Sequence, residues 1–192
     1  MTTILKSLQR IWSTHYFPAR IIGFLLIVSC FSCSCIKEGY EGKGSKITAG
    51  DRAPLFTAQM LDGSQLSLEE LQGNVVLLFF FSSTCPLCHE EMQAIDSLFI
   101  TQYANQPFRF LPIARDGEKE NITHFCMENG YHFPIALDPD RAIYNLFALK
   151  YVPHVFLIDK KGFVRRIEIE NHFTTSTQLH QTIVQLCEDN EL

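Results

Sequence analysis

A continuous apolar run that stops at a pair of cysteines constrains the fold of this chain most. Residues 74–81 read NVVLLFFF, which predicts a strand that is covered on both faces in the middle of an α/β sheet. Cys85 and Cys88 follow directly, and Pro86 between them suits the first turn of a helix, where its missing N–H loses no partner. The sequence therefore predicts a strand, a short turn and a helix that opens with a CxxC pair.

Strands and helices alternate on both sides of this run. Residues 54–71 predict an N-terminal hairpin that turns at Asp62 and Gly63, because Asp-Gly supplies the positive φ of tight turns. Further strands are predicted over residues 108–114, 133–137, 154–159 and 163–170, and helices over 86–103, 118–129, 138–149 and 174–188. This order predicts an α/β three-layer domain.

Residues 1–29 have the layout of a secretory signal peptide. Basic residues come first, an apolar stretch follows at residues 21–28, and no acidic residue precedes Cys30. The apolar stretch is well short of the roughly 20 residues that a membrane-spanning helix needs, so a transmembrane anchor is the weaker interpretation. A short buried helix is the remaining alternative. The pattern predicts that the chain is exported.

The end of this segment, IVSC at residues 27–30, resembles a bacterial lipobox. The resemblance implies that Cys30 is acylated and becomes the first residue of the mature protein. Cys33 and Cys35 are rival sites, but neither has an aliphatic residue three positions earlier. Each acyl CH₂ buried in lipid contributes about 0.8 kcal/mol, so several chains on one cysteine would hold the protein at a membrane.

Two regions follow the predicted acylation site. Residues 30–45 mix glycine with charge in their second half and lack apolar periodicity, which predicts a flexible, lipidated tether. Residues 46–192 have the usual size of one domain. The net charge of −5 becomes more negative once the basic N-terminal segment is removed, which argues against nucleic-acid binding.

The CxxC pair lies where a helix is predicted to begin. Unpaired N–H groups and the positive end of the helix dipole favour a thiolate there, so Cys85 is the predicted nucleophile. Cys88 is placed to attack a mixed disulfide on Cys85 and to release the reduced partner. Half of a zinc site and an inert disulfide are the alternatives, but residues 46–192 contain no second CxxC and the histidines lack zinc-ligand spacing. We expect a redox pair without a metal or a dissociable organic cofactor.

Two stretches make the chain similar to the TlpA-like thiol-disulfide oxidoreductases, which are membrane-tethered thioredoxin-fold proteins of the bacterial envelope. These are FFFSSTCPLCHEEM at residues 79–92 and VPHVFLIDKKGFV at residues 152–164. The resemblance covers about residues 47–186. It implies a thioredoxin-like three-layer sandwich with an N-terminal hairpin and a central insert between Phe110 and Tyr151.

The same resemblance assigns a substrate-binding surface. It implies that Pro153 is a cis-proline close to Cys85, and that the backbone of Val152 pairs with an extended substrate segment. Pro86 and Leu87, between the cysteines, belong to the same surface and help to set the redox potential. The expected partners are disulfide-containing envelope proteins, apocytochrome c among them, and an upstream membrane dithiol that supplies electrons.

A buried acid is the remaining requirement of the chemistry. Cytoplasmic thioredoxins carry an aspartate on the strand beneath the cysteines, and the matching residue here is Phe79. Envelope members use a glutamate three residues after the second cysteine, which corresponds to Glu91. We expect Glu91 to accept the proton of Cys88 as that thiol attacks. The alternative is an exposed helix acid, because Glu90 and Glu91 adjoin.

Two rival functions stay open. A thiol peroxidase usually carries the pattern Pro-x-x-x-Thr-x-x-Cys, and the proline position is Leu78 here. A copper-delivery chaperone of the same fold would use both cysteines with His154 or His172, although its cysteines are usually three residues apart. For His154, the position at a hairpin edge is the simpler expectation.

Three other residues carry open alternatives. His89 either stabilises a thiolate or is a solvated helix residue. Cys126 and Cys187 are predicted to be buried as small apolar residues, with pairing to each other as the alternative.

Overall fold

A computed structural model describes residues 44–95 and 100–189 of the 192-residue chain. The predicted signal peptide, Cys30 and almost all of the tether lie outside the described residues. The strands are β1 Thr57–Met60, β2 Gln65–Ser67, β3 Val75–Phe81, β4 Phe108–Ala114, β5 Ala136–Leu137, β6 His154–Ile158 and β7 Val164–Ile169. The helices are α1 Pro86–Ala94, α2 Ile100–Gln102, α3 Lys119–Asn129, α4 Tyr144–Phe147 and α5 Thr177–Glu188, with 3₁₀ turns at Glu69–Leu71 and Phe173–Thr175. Every helix in these ranges is too short or too polar to span a bilayer.

The strands form one mixed sheet in the order β2-β1-β5-β4-β3-β6-β7. The central strand β3 pairs parallel with β4 and antiparallel with β6. The predicted N-terminal hairpin is confirmed, because β1 and β2 pair antiparallel around Gly63, whose φ is 94°. The second predicted hairpin, β6 and β7, turns at Gly162 with a φ of 86°. The hairpins occupy opposite ends of the sheet.

Both faces of β3 are covered, as the apolar run predicts. All seven of its residues are buried. Phe79 and Phe81 pack on one side with α1, α3 and α5, which we call the α1 face. Leu78 and Phe80 pack on the other side with α4 and the N-terminal segment, which we call the α4 face. Burying one such phenylalanine stabilises the fold by roughly 1.5–3 kcal/mol. The predicted thioredoxin-like three-layer sandwich is confirmed.

One predicted helix is wrong in its extent. The sequence predicts a helix over residues 138–149, but α4 is confined to Tyr144–Phe147. Arg141 has a φ of 61°, which breaks helical geometry before α4. The buried carboxylate of Asp138 instead accepts hydrogen bonds from the backbone N–H groups of Ile143 and Tyr144, at 2.9 and 2.7 Å. A capped turn therefore replaces the first half of the predicted helix.

The other helices agree with the sequence more closely. The helix predicted over residues 118–129 is α3, and it ends at Gly130 with a φ of 69° as expected. The closing helix α5 begins at Thr177 because the Ser176 side chain caps it by accepting from the Leu179 N–H, while Phe173–Thr175 forms a 3₁₀ turn. Of the helix predicted from Pro86 to Tyr103, the described parts are α1 and α2.

Candidate redox site

Cys85 and Cys88 form a disulfide at the N-terminus of α1, with their Cα atoms 5.2 Å apart. Cys85 is the N-cap residue, and its Sγ accepts a hydrogen bond from the Cys88 N–H at 3.2 Å. This donor and the helix dipole would stabilise a thiolate on Cys85 in the reduced protein. Cys85 is partly exposed, whereas Cys88 is completely buried. Of the two sulfurs, Cys85 is the one that a disulfide of another protein can reach.

The turn between β3 and α1 is held by the residue that follows the cysteines. The Nε2–H of His89 donates to the Ser83 carbonyl at 2.9 Å. The imidazole also packs edge-on against Phe125, with ring centroids 4.6 Å apart. The half-buried ring argues against a solvated helix residue, and a role in stabilising a thiolate stays a prediction. The side chain fastens the turn that carries Cys85.

The cis-proline loop lies beside the disulfide. The Val152–Pro153 peptide bond is cis, and the Val152 carbonyl oxygen is 3.7 Å from Cys85 Sγ. Pro153 is buried and Val152 is half-buried. In the first turn of α1, Pro86 is exposed and Leu87 is half-buried. A substrate sulfur joined to Cys85 would therefore meet the backbone of Val152.

Two side chains of the α4 face anchor this loop. The Tyr144 hydroxyl donates to the Tyr151 carbonyl at 2.8 Å. The Nδ1–H of His154 donates to the Lys150 carbonyl at 3.3 Å. Tyr151 has a φ of 74°, in the left-handed region that non-glycine residues seldom adopt. The anchors hold the backbone that precedes Pro153 in this conformation.

Glu91 lies one helical turn after Cys88 on the buried side of α1 and is 2% exposed. This burial excludes the alternative of an exposed helix acid. Its Oε1 accepts from His172 Nδ1–H at 3.0 Å, and its Oε2 accepts from the Thr174 N–H at 2.9 Å. The His172 side chain is 58% exposed. His172 therefore connects the buried carboxylate with the surface.

The position that carries an aspartate in cytoplasmic thioredoxins is apolar. Phe79 is fully buried and stacks on Phe81 with ring centroids 5.8 Å apart. It also contacts Phe110 and Phe173. The strand beneath the cysteines thus supplies no carboxylate at this position, and the buried carboxylate is Glu91 on α1.

The expectation of His154 at a hairpin edge is wrong. His154 begins β6, pairs with Phe80 of β3 and Ile169 of β7, and is completely buried. Its ring stacks on Phe156 at 4.7 Å between centroids. Burial lowers the pKa of His154 from 6.5 to about 4, the hydrogen bond to Lys150 opposes this shift, and Arg115 adds to it. The side chain lies on the α4 face, whereas Cys88 packs on the α1 face.

The other two cysteines in the described part of the chain lie in the core. Cys126 and Cys187 are free and buried, as predicted, and burial raises the pKa of each thiol. Among the described residues, no three His, Cys, Asp or Glu side chains are grouped to hold a metal ion. The copper alternative requires His154 or His172 together with both cysteines. The structure instead places His172 on Glu91.

Sequence reasoning missed the contact between Glu91 and the 3₁₀ turn. His172 and Thr174 follow Glu91 by about 80 positions, and no local pattern links them. The turn is itself fixed, because His180 Nε2–H donates to the Thr174 carbonyl at 2.8 Å and the Tyr103 hydroxyl contacts His180 Nδ1 at 2.7 Å. These contacts depend on how the 3₁₀ turn before α5 packs on α1, which the sequence does not reveal.

Comparisons with known proteins agree with this geometry. The model of the AhpC/TSA family matches residues 49–167. The thiol-disulfide oxidoreductase ResA of Bacillus thuringiensis strain Al Hakam is 29% identical over 140 residues, which cover 73% of this chain and 80% of that protein. ResA of Bacillus subtilis strain 168 is 25% identical over 159 residues, which cover 82% and 87%.

Solved structures show the same fold. A candidate protein disulfide isomerase from Bacteroides thetaiotaomicron superposes with a TM-score of 0.71 at 29% identity, covering 76% of this chain and 94% of that one. A candidate thiol:disulfide interchange protein DsbE from Chlorobium tepidum superposes with a TM-score of 0.65 at 25% identity, covering 72% and 97%.

The thioredoxin-like fold, the CxxC disulfide and these relatives define a thiol-disulfide oxidoreductase, as the sequence predicts. The chain belongs to the AhpC/TSA family. The roles of Cys85, Cys88, Glu91, Val152 and Pro153 stay predictions, although the structure brings these residues together.

Proposed function

We propose that this oxidoreductase reduces disulfides of exported proteins, with Cys85 as the nucleophile and Cys88 as the resolving thiol. The observation that supports this assignment is the difference in exposure between the two sulfurs. Cys85 is partly exposed at the helix N-terminus, and Cys88 is fully buried behind it. A partner disulfide therefore meets Cys85 first.

The reaction has two exchange steps. The Cys85 thiolate attacks one sulfur of the partner disulfide, forming a mixed disulfide and releasing the other partner sulfur as a thiolate. The Cys88 thiol then loses its proton to Glu91 and attacks Cys85 Sγ, which releases the second partner sulfur. The two electrons of the dithiol end on the partner, and the Cys85–Cys88 disulfide remains. A membrane dithiol of lower potential would return the enzyme to its reduced form.

The surface around Cys85 would bind and position the substrate. The Val152 carbonyl lies 3.7 Å from Cys85 Sγ, so an extended partner segment that carries the attacked sulfur would run along the Val152 backbone. Pro86 is exposed in the same first turn of α1. Apocytochrome c, whose haem-binding cysteines must be reduced, is the substrate class that fits a ResA-like and DsbE-like enzyme.

An extracytoplasmic location follows from the sequence of the N-terminal segment. Residues 1–29 would be removed as a signal peptide, and acyl chains on Cys30 would tether the domain to a membrane through residues 30–45. Mass spectrometry of the mature protein should find a modified Cys30 as its first residue. An unmodified Cys30 in the intact mature protein would refute the anchor but leave the redox assignment standing.

The redox assignment is tested with two variants in an insulin-reduction assay that uses dithiothreitol as electron source. Cys85→Ser should abolish turnover and retain the fold. Cys88→Ser, reduced beforehand and mixed with insulin after the dithiothreitol is removed, should instead accumulate a covalent mixed disulfide through Cys85. Equal insulin reduction by Cys85→Ser and the unmodified protein would overturn the assignment. Peroxide consumption that survives the loss of Cys88 would favour a peroxidase.

The direction of electron flow is tested by equilibrating the protein with glutathione buffers. A potential well below that of the glutathione couple supports a reductase, because the dithiol then donates electrons to most partner disulfides. A potential well above it would make the protein an oxidase or isomerase.

A further inference from the structure

The proposed chemistry leaves one proton without a path to water. Glu91 is 2% exposed, so the proton that it takes from Cys88 cannot pass directly to solvent. Its two oxygens contact the Thr174 N–H and His172 Nδ1. A backbone amide holds its proton throughout the physiological range, whereas an imidazole gains and loses one there. Of these two contacts, His172 is the one that can exchange a proton.

The His172 side chain contacts both the buried carboxylate and solvent. Its Nδ1 is 3.0 Å from Glu91 Oε1, while 58% of the side chain is exposed. Two carboxylates of α1 face the imidazole, Glu91 at this distance and the exposed Glu90 at 4.0 Å. Within its own turn, the His172 carbonyl accepts from the Thr175 hydroxyl at 3.1 Å. The ring therefore spans the gap between the buried carboxylate and water.

The geometry of the second oxygen keeps the carboxylate in place. The Thr174 N–H donates to Oε2 at 2.9 Å, and the Thr174 carbonyl is held by His180 at 2.8 Å. Glu91 thus presents Oε1 to His172 in a fixed orientation. A fixed donor-acceptor pair within hydrogen-bond distance is the requirement for proton transfer.

We infer that His172 relays protons between Glu91 and solvent during the thiol–disulfide cycle, an inference that rests on the proposed role of Glu91. When the enzyme is oxidised, Cys88 passes its proton to Glu91 as it attacks Cys85. Glu91 passes that proton to Nδ1 of the Nε2–H tautomer of His172. The imidazolium then loses its Nε2 proton to water, which leaves Nδ1–H donating to the ionised carboxylate.

The reductive half of the cycle runs the relay backwards. His172 Nε2 takes a proton from water, and the Nδ1 proton passes to Glu91. Glu91 returns it to the sulfur of Cys88 when the donor dithiol breaks the Cys85–Cys88 disulfide. Each half-cycle thus moves one proton through His172. In the disulfide form described here, Nδ1 and Oε1 are 3.0 Å apart, a distance at which the carboxylate can accept from Nδ1–H after oxidation.

The relay is measured with 5,5′-dithiobis(2-nitrobenzoate), a disulfide that releases a coloured thiolate at each exchange step. The reduced full chain is used, with its N-terminal cysteines removed as Cys30→Ser, Cys33→Ser and Cys35→Ser. The first release reports attack by Cys85, and the second reports resolution by Cys88. His172→Asn retains an N–H donor at the Nδ1 position but cannot relay. We expect the second release to slow by at least about tenfold and its pH dependence to flatten, with the first release unchanged.

Imidazole rescue separates a relay from a structural role. In His172→Ala, added imidazole should restore the second release, because the vacated position is open to solvent. A series of substituted imidazoles should restore it to a degree that follows their basicity, as proton transfer requires. Rescue that ignores basicity, or no rescue in His172→Ala, would overturn the relay.

The control is another exposed histidine whose Nδ1 contacts a carboxylate. His124 Nδ1 lies 3.1 Å from Glu128 Oε2 on α3, and His124→Asn should leave both releases unchanged. If Glu91→Gln slows the second release but His172→Asn releases the second thiolate at the wild-type rate at every pH, the relay is wrong and the role of Glu91 stands. A wild-type second release in Glu91→Gln overturns the proposed role of Glu91 itself.

Discussion

Each face of the sheet buries an acid or a base, Glu91 on one and His154 on the other, and the two side chains differ in their contact with water. On the α1 face, the carboxylate of Glu91 is 2% exposed but bonded to the half-exposed His172. On the α4 face, His154 is completely buried, stacked on Phe156 and bonded to the Lys150 carbonyl. Glu91 contacts a side chain that water reaches, whereas His154 is shielded from water.

This difference shows what burial alone does and does not do. Desolvation removes the charge from His154 and lowers its pKa to about 4, so it stays neutral and serves as a hydrogen-bond donor to the loop. Glu91 is buried to nearly the same extent, but it contacts the exposed His172, through which we propose that it exchanges protons with water. Under this proposal, the exposed partner, rather than burial alone, determines whether a buried group can take part in turnover.

The largest expected effect comes from a substitution of Glu91, on the α1 face. Glu91→Gln keeps the shape of the side chain but removes the proton acceptor, so resolution of the mixed disulfide should slow by about 100-fold while Cys85 still attacks. The second release of the coloured thiolate measures this step. His154→Phe is the matched variant on the α4 face and should change that release by less than about twofold. Equal slowing in both variants would contradict the separation of the two faces.

The next effect is a loss of folding stability at acid pH, which we attribute to His154. The folded protein binds a proton at His154 with a pKa of about 4, whereas the unfolded chain binds it near the ordinary 6.5. The unfolded state therefore gains protons first as the pH falls, and the stability that neutral His154 provides is lost below about pH 6.5. This group should lower the free energy of unfolding by about 2 kcal/mol between pH 7 and pH 5. Urea unfolding at the two pH values measures it.

The same measurement on variants assigns the loss to His154. His154→Phe keeps an aromatic ring against Phe156 and removes the titration, so its stability should depend on pH by about 2 kcal/mol less over this range. His124→Asn removes an exposed histidine and should retain the full dependence. An unaltered pH dependence in His154→Phe would show that the imidazole is not sealed.

The parts of the site that the sequence predicts are those built from local patterns. The strand β3, the CxxC at the N-terminus of α1 and the glycine at the end of α3 each follow from residues within one or two turns of chain. The failed helix over residues 138–149 shows the limit of such patterns. Ile143, Tyr144 and Phe147 have helical spacing, yet the positive φ of Arg141 decides where α4 begins.

The remaining features depend on contacts between distant segments. Glu91 and His172 meet because the 3₁₀ turn before α5 packs on α1. His154 is sealed because β3 and β7 flank the start of β6 and the rings of Phe156 and Tyr144 lie beside it. A single sequence does not display such packing, so a histidine next to a proline offers no sign of whether it is exposed or buried.

The smallest expected effect concerns the loop that precedes the cis-proline, Pro153, which Tyr144 holds from the α4 face. Tyr144→Phe removes the hydroxyl that donates to the Tyr151 carbonyl at 2.8 Å, and it should lower the free energy of unfolding by about 1 kcal/mol. Because this bond holds the backbone that precedes the cis-proline, KM for insulin should rise by about two- to fivefold, while both release steps with the small disulfide stay unchanged. Tyr131→Phe on the α1 face is the control, since its hydroxyl lies 3.5 Å from the His89 carbonyl, at the outer limit of a hydrogen bond. If the two variants raise KM equally, the α4 face does not position the substrate loop.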